Sequence, residues 1–96
     1  MYGTVARTRV RPEDRQRLED LFRRQSGEMT GTGFVTSYVL YEDGGDTAWV
    51  FAVFEDRESY QRNAQDPAQD ARYREYRELL QTEPEWHDGE IVGDRS

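Results

Sequence analysis

Ninety-six residues suffice for one domain with a thin core, because a chain of this size buries only about 60 to 65% of its unfolded surface. All 13 basic residues are arginine, and against 20 acids they leave a net charge of -7, a surface that repels phosphate backbones and argues against nucleic-acid partners. Without lysine or cysteine there is no Schiff-base chemistry, thiol nucleophile, thiolate metal site or disulfide, and one histidine cannot build a multi-histidine metal site.

Tyr2 to Val10 alternates as a strand, and Pro12, Glu13 and Asp14 suit the first turn of a helix. Leu18, Leu21 and Phe22 give that helix a narrow apolar stripe, and it stops near Gly27. Gly31 and Gly33 punctuate a short connection to a β-branched and aromatic strand, Phe34 to Tyr41. The turn Glu42-Asp43-Gly44-Gly45-Asp46 then leads to Trp49 to Phe54, completing a hairpin. Two helices follow, Glu58 to Gln65 and Pro67 to Leu80, divided because the residue before a proline is pushed out of the helical region. Tyr73, Tyr76, Leu79 and Leu80 form the inward stripe of the second, and Arg72, Arg74 and Arg77 among Asp70, Glu75 and Glu78 read as a solvated face. Trp86 to Val92 is a last strand with Gly89 marking a bulge, and Gly93 to Ser96 is a frayed end. No run approaches the ~20 apolar residues of a membrane span, and Met1 to Val10 is an arginine-bearing strand pattern rather than a signal peptide. The expectation is a single cytoplasmic domain over residues 1–96, with no nucleic-acid or membrane partner.

This order predicts an α+β fold of the ferredoxin-like βαββαβ type: a four-stranded antiparallel sheet with its helices on one face. The other face is left uncovered, yet the third strand is apolar at six successive positions, Trp49 to Phe54. A strand that is wet on one side alternates instead. At roughly 25 cal/mol per Å2, leaving three such side chains in water forfeits several kcal/mol, so a homodimer packed sheet to sheet is expected.

The Arg11-Pro12 start of the first helix, the run Val53-Phe54-Glu55-Asp56-Arg57-Glu58-Ser59-Tyr60 and the segment Glu85-Trp86-His87-Asp88-Gly89-Glu90 resemble the antibiotic biosynthesis monooxygenase group of dimeric α+β barrel proteins. The resemblance spans nearly the whole chain. It implies a dimer in which each subunit holds its ligand between the sheet and the helices after the third strand. Members include cofactor-free oxygenases of polyketide aromatics, haem-degrading enzymes, small aldehyde- or quinone-handling proteins, and many of no known activity. Haem-degrading members carry an asparagine on the first strand, a tryptophan on the helix after strand three and a histidine further on. Here the first strand has no asparagine, and Asn63 and Tyr73 stand near the positions of that tryptophan and histidine, so the resemblance disfavours haem. Cofactor-free oxygenases place asparagine, tryptophan and arginine groups around an aromatic substrate. This chain offers Asn63 for that set, but its tryptophans lie on predicted strands.

Candidate site residues follow. Asn63, the single asparagine, sits on a helix that faces the sheet, where its amide can hold a substrate oxygen or enolate; the plainer reading is a helix-terminal cap before Asp66-Pro67. His87 is the natural general base if one exists, although beside Trp86 on a short terminal strand the plainer reading is an exposed side chain. Tyr38, Trp49, Tyr60, Tyr73 and Tyr76 are the candidate substrate-binding aromatics, the last two offering phenolic hydrogen bonds or simply core packing. Hairpin register decides whether Trp49 meets Tyr38 and Leu40 or Ser37 and Val39, and a shift of one residue exchanges the two faces. Arg7 and Arg9 share a strand face and suit structural pairing or attraction of an anionic substrate. The leading expectation is a cofactor-independent monooxygenase-like enzyme for a small, flat, fairly apolar phenol, hydroquinone or polyketide aromatic, needing no flavin, metal or haem. The competing one is a non-catalytic dimeric ligand-binding or stress-associated protein on the same fold.

Overall fold

The computed structural model describes residues 1–93. Strand β1 (Tyr2–Arg9) leads through a 3-10 turn (Pro12–Asp14) into α1 (Arg15–Glu28); β2 (Phe34–Tyr41) and β3 (Thr47–Phe54) form the hairpin; α2 (Arg57–Gln65) and α3 (Pro67–Glu78) precede β4 (Glu85–Glu90). The four strands lie in the order β2-β3-β1-β4, every neighbour antiparallel, and the three helices cover one face. This is the ferredoxin-like α+β fold.

Local chemistry sets the boundaries. The Asp56 carboxylate accepts from Ser59 N at 2.8 Å and the Asp66 carboxylate from Ala68 N at 3.0 Å, so each aspartate satisfies a backbone donor that the first turn of α2 or α3 leaves free. Pro67 occupies the first turn of α3, where its missing N–H costs nothing. Helix α3 ends at Glu78, two residues short of the expected Leu80, and Leu79 and Leu80 turn into the core beyond it. The turn before β2 depends on Gly33, which has φ +89° and accepts from Glu55 N at 2.8 Å. A Cβ there would collide with the Ser59 side chain.

Two expectations need correction. Gly89 is not a bulge: it pairs with Gly3 in an unbroken β1–β4 register. The irregularity lies in β2, where Phe34 pairs with Phe54 but Thr36 with Val53, leaving Val35 outside the ladder. The last strand also stops at Glu90 rather than Val92. Of the end expected to fray, residues 94–96 lie outside the described residues.

Alternation sorts the sheet into two faces. Ala6, Ala48 and Val50 point toward the helices and join Val10, Leu18, Leu21, Tyr76, Leu79 and Leu80 in the core. The opposite face carries Val5, Trp49, Phe51 and Val53 beside Tyr38 and Leu40, the last two 62% and 51% exposed. Among the described residues no helix is long and apolar enough to cross a membrane.

Candidate functional site

Between the sheet and the helices lies a cavity of about 490 Å3, a size suited to a small organic ligand. Its floor is the helix-facing row of the sheet, including Thr4, Ser37, Val50, Ala52 and Phe54. Phe22 and Gln25 of α1 with Met29 just beyond its end form one wall; Tyr60 and Asn63 of α2 with Arg72, Tyr73 and Tyr76 of α3 form another; Trp86 and Asp88 of β4 stand at the edge. Eleven of the twenty lining residues are apolar or aromatic and nine are polar or charged, so polar groups are interspersed through a largely aromatic and aliphatic wall.

The best-fixed polar cluster joins α1, α2 and α3. Arg72, 8% exposed, donates from Nη2 to Asn63 Oδ1 at 3.0 Å and from Nε to Gln69 Oε1 at 2.9 Å. Gln25 Nε2 donates to the Arg72 carbonyl at 3.1 Å, pinning that turn of α3 to α1. Because the Asn63 oxygen is taken by a guanidinium, its NH2 group is the end left to donate elsewhere. The Asn63 side chain is therefore not the helix cap of the plainer reading.

The tyrosines behave differently from one another. Tyr60 packs its ring against Tyr2 and Phe54. Burial, followed by the Asp88 carboxylate beside it, pushes its phenol up to about 12, so it stays protonated at neutral pH. Tyr73 and Tyr76 line the cavity, but with their rings. The Tyr73 hydroxyl donates to Glu83 Oε2 at 3.1 Å, on the outside of the protein. The Tyr76 hydroxyl is buried without a hydrogen-bond partner among the described residues; burial pushes its phenol far up, the Thr8 hydroxyl beside it acting weakly the other way. The expected phenolic donors into the cavity are thus turned away from it.

Tyr38, Trp49 and His87 do not reach the cavity. Leu40 pairs with Trp49 and Tyr38 with Phe51, which sets all four on the outer face of the sheet. His87 pairs with Val5 on that same face and contacts Glu85 Oε1 through Nε2 at 2.9 Å. Trp49 Nε1 donates to Glu42 Oε2 at 2.6 Å. Arg7 and Arg9 also lie there, exposed, with Arg9 4.0 Å from Asp46. The cavity brings together Asn63, Tyr60, Tyr73 and Tyr76 of the expected set, and adds Gln25, Arg72, Trp86 and Asp88. Arg72, which the alternating charges of α3 put on a solvated face, is instead buried, lying with Gln69 and Tyr76 at i, i+3, i+7 spacing along one face of that helix. Trp86 and Asp88 alternate with His87 on β4, so the correct face for either places both.

A family model described as antibiotic biosynthesis monooxygenase matches residues 1–74. The chain belongs to the antibiotic biosynthesis monooxygenase family. Solved structures agree on the fold of this family member. A variant of SnoaB, a cofactor-independent oxygenase from Streptomyces nogalater, is 21% identical, with a TM-score of 0.76 over 97% of this chain and 94% of that one. A putative antibiotic biosynthesis monooxygenase from Chloroflexus aurantiacus J-10-fl is 22% identical, with a TM-score of 0.71 over 99% and 96%. A conserved protein from Methanosarcina mazei Go1 is 18% identical, with a TM-score of 0.72 over 92% and 89%. No curated protein matches the sequence. The family match ends before Tyr76, Trp86 and Asp88, so the far wall of the cavity is described by the structure alone.

Proposed function

We propose that this family member is a cofactor-independent monooxygenase-like protein acting on a small aromatic or quinol-type substrate, as a homodimer of single cytoplasmic domains. The observation that carries the reading is the Asn63 amide, held by Arg72 so that its NH2 is free to donate at an aromatic-walled cavity. Flat aromatic surfaces orient a planar substrate by stacking, while a fixed amide donor stabilises the oxygen on which charge develops as the substrate loses a proton. The substrate anion then supplies the electrons, molecular oxygen accepts them, one oxygen atom enters the substrate and the other leaves as water. Within that scheme the protein contributes orientation, exclusion of bulk water and one directed hydrogen bond. Likeness in fold to an oxygenase named as cofactor-independent supports this reading.

A second reading, a non-catalytic dimeric binder of small ligands, is favoured by one specific observation. The histidine expected to act as general base is on the far face of the sheet, and both tyrosine hydroxyls of α3 point elsewhere. Asn63→Ala separates site from scaffold. Oxygen uptake with hydroquinones and anthrone-like phenols should fall about 10 to 1,000 fold, the range for losing one charge-directed hydrogen bond. If the wild-type protein consumes no oxygen with any of the panel yet binds them, the binding reading replaces the enzymatic one. If Asn63→Ala lowers the melting temperature and leaves affinity and uptake unchanged, Asn63 is scaffold.

A further inference from the structure

A cavity that draws a proton from its ligand needs an acceptor, and neither His87 nor the phenols of α3 supply one. Two carboxylates line it, those of Asp70 and Asp88. Asp70 stands in the first turn of α3, where the free N–H groups of the helix already compensate its charge. Asp88 is placed differently. It pairs with Thr4 in the β1–β4 register, and alternation turns it to the helix side of the sheet, away from the neighbouring His87. The Thr4 hydroxyl donates to the His87 carbonyl at 3.2 Å, fixing the backbone of β4 one residue before Asp88. Tyr60 of α2 stands beside the carboxylate, its ring packed against Tyr2 and Phe54 and its phenol kept protonated by burial and by Asp88 itself, so a hydroxyl rather than a charge adjoins it. Among the described residues Asp88 joins no ion pair, and its exposed side reaches bulk water.

We propose that Asp88 is a catalytic residue of this cavity, the general base that makes it an enolisation site for aromatic ketones with acidic C–H bonds. Of the proposed function, this takes over only the cavity as the ligand site and the Asn63 amide as a donor. In the step, the C–H bond beside the ligand carbonyl breaks, its proton passes to a carboxylate oxygen of Asp88, and the electron pair moves toward the carbonyl oxygen to leave an enolate. Reversal returns a hydrogen from Asp88 to the same carbon, after exchange with water at the exposed side of the residue. Nothing is oxidised or reduced, and water is the one co-reactant. A carboxylate takes a proton from so weak an acid when it is aligned with the C–H bond and the new anion has a donor nearby. Tyr60 is the positioning residue for the first requirement. Asn63, one turn further along α2 at i, i+3 spacing and lining the same cavity, meets the second.

The test is deuterium incorporation into 2-tetralone, an aromatic bicyclic ketone with acidic C–H bonds, in heavy water under argon, followed by NMR with the full chain. Argon separates proton abstraction from any reaction with oxygen. Wild-type protein should exchange the bound ketone faster than buffer does, and Asp88→Asn should lower that acceleration about 100 fold while calorimetric titration finds its affinity within about threefold of wild type. A merely structural role would move affinity and melting temperature as well, and because Asp88 is exposed the substitution leaves the core untouched. Tyr60→Phe, which keeps the packing ring, should slow exchange by a smaller factor at unchanged affinity. Exchange no faster than in buffer, exchange that survives Asp88→Asn, or a loss in Asp70→Asn instead, overturns the proposal and leaves the oxygenase reading to stand on oxygen uptake with the phenol panel. Exchange under argon without uptake in air retains the proposal and removes that reading. Failure of 2-tetralone to bind overturns the proposal and the cavity as ligand site alike.

Discussion

Tyr73 and Tyr76 illustrate how spacing can place a ring and leave open what its hydroxyl does. Helical spacing puts both rings on the inner face of α3, and both line the cavity. Their hydroxyls, however, go to Glu83 and toward Thr8, details set by rotamer and tertiary contact rather than by spacing. Tyr73→Phe and Tyr76→Phe should therefore leave ligand affinity within about twofold of wild type. Tyr76→Phe should also be neutral or slightly stabilising, because it removes a buried hydroxyl that has no partner among the described residues, whereas losing a satisfied one costs about 1 kcal/mol. Urea denaturation with parallel titrations checks both; a large affinity loss in either variant would restore the phenols as donors. Asn63 was legible because it is the single asparagine and lies on a helix facing the sheet. Arg72 was not, because charges alternating along a helix usually face water, and only the cavity behind Gln69 and Tyr76 makes this one an exception.

Among the elements, strands and helices followed from apolar periodicity and from the Asp66-Pro67 break, while their exact ends and the hairpin register did not. The loop from Glu42 to Asp46 is long enough to permit more than one pairing, and β3 is apolar at every position from Trp49 to Phe54, so its composition cannot say which side faces inward. The backbone bond from Glu42 N to Thr47 O, at 2.9 Å, closes the hairpin in one register and sends Trp49 outward. Resemblance to the family likewise could not place His87, since that placement turns on the same parity in β4. The connection before β2 offers a test at this scale. Gly33 and Gly44 both have positive φ, +89° and +80°, but only at Gly33 would a Cβ meet another side chain, that of Ser59. Gly33→Ala should cost about 1 to 3 kcal/mol more than Gly44→Ala by urea denaturation, the extra being overpacking against the start of α2. Equal costs would mean that Ser59 yields freely.

For the whole molecule, the outer face of the sheet is the unfinished surface. The half-buried Trp49 and Phe51 lie on it with the exposed Tyr38 and Leu40, an apolar area of the kind that marks an interaction site. Light scattering at micromolar concentration should give about twice the 11.3 kDa mass of the chain. Tyr38→Asp is the sharper probe. In the single chain Tyr38 is 62% exposed, so the fold tolerates a charge there, but an unpaired carboxylate buried between two sheets would separate the copies. A Tyr38→Asp protein that keeps the doubled mass would show that the copies meet elsewhere.

The two tryptophans of the chain stand on opposite sides of one sheet: Trp49 on the outer face near Glu42, and Trp86 at the cavity edge, its ring 6.1 Å from that of Tyr76 and 6.4 Å from that of Tyr73. Indole emission depends on its immediate surroundings, so the protein carries two native optical reporters separated by the thickness of the sheet. In Trp86→Phe the remaining signal belongs to the outer face and should change on dilution. In Trp49→Phe it belongs to the cavity and should change on adding ligand. Assembly and occupancy can then be followed separately in one small protein, without attaching a dye.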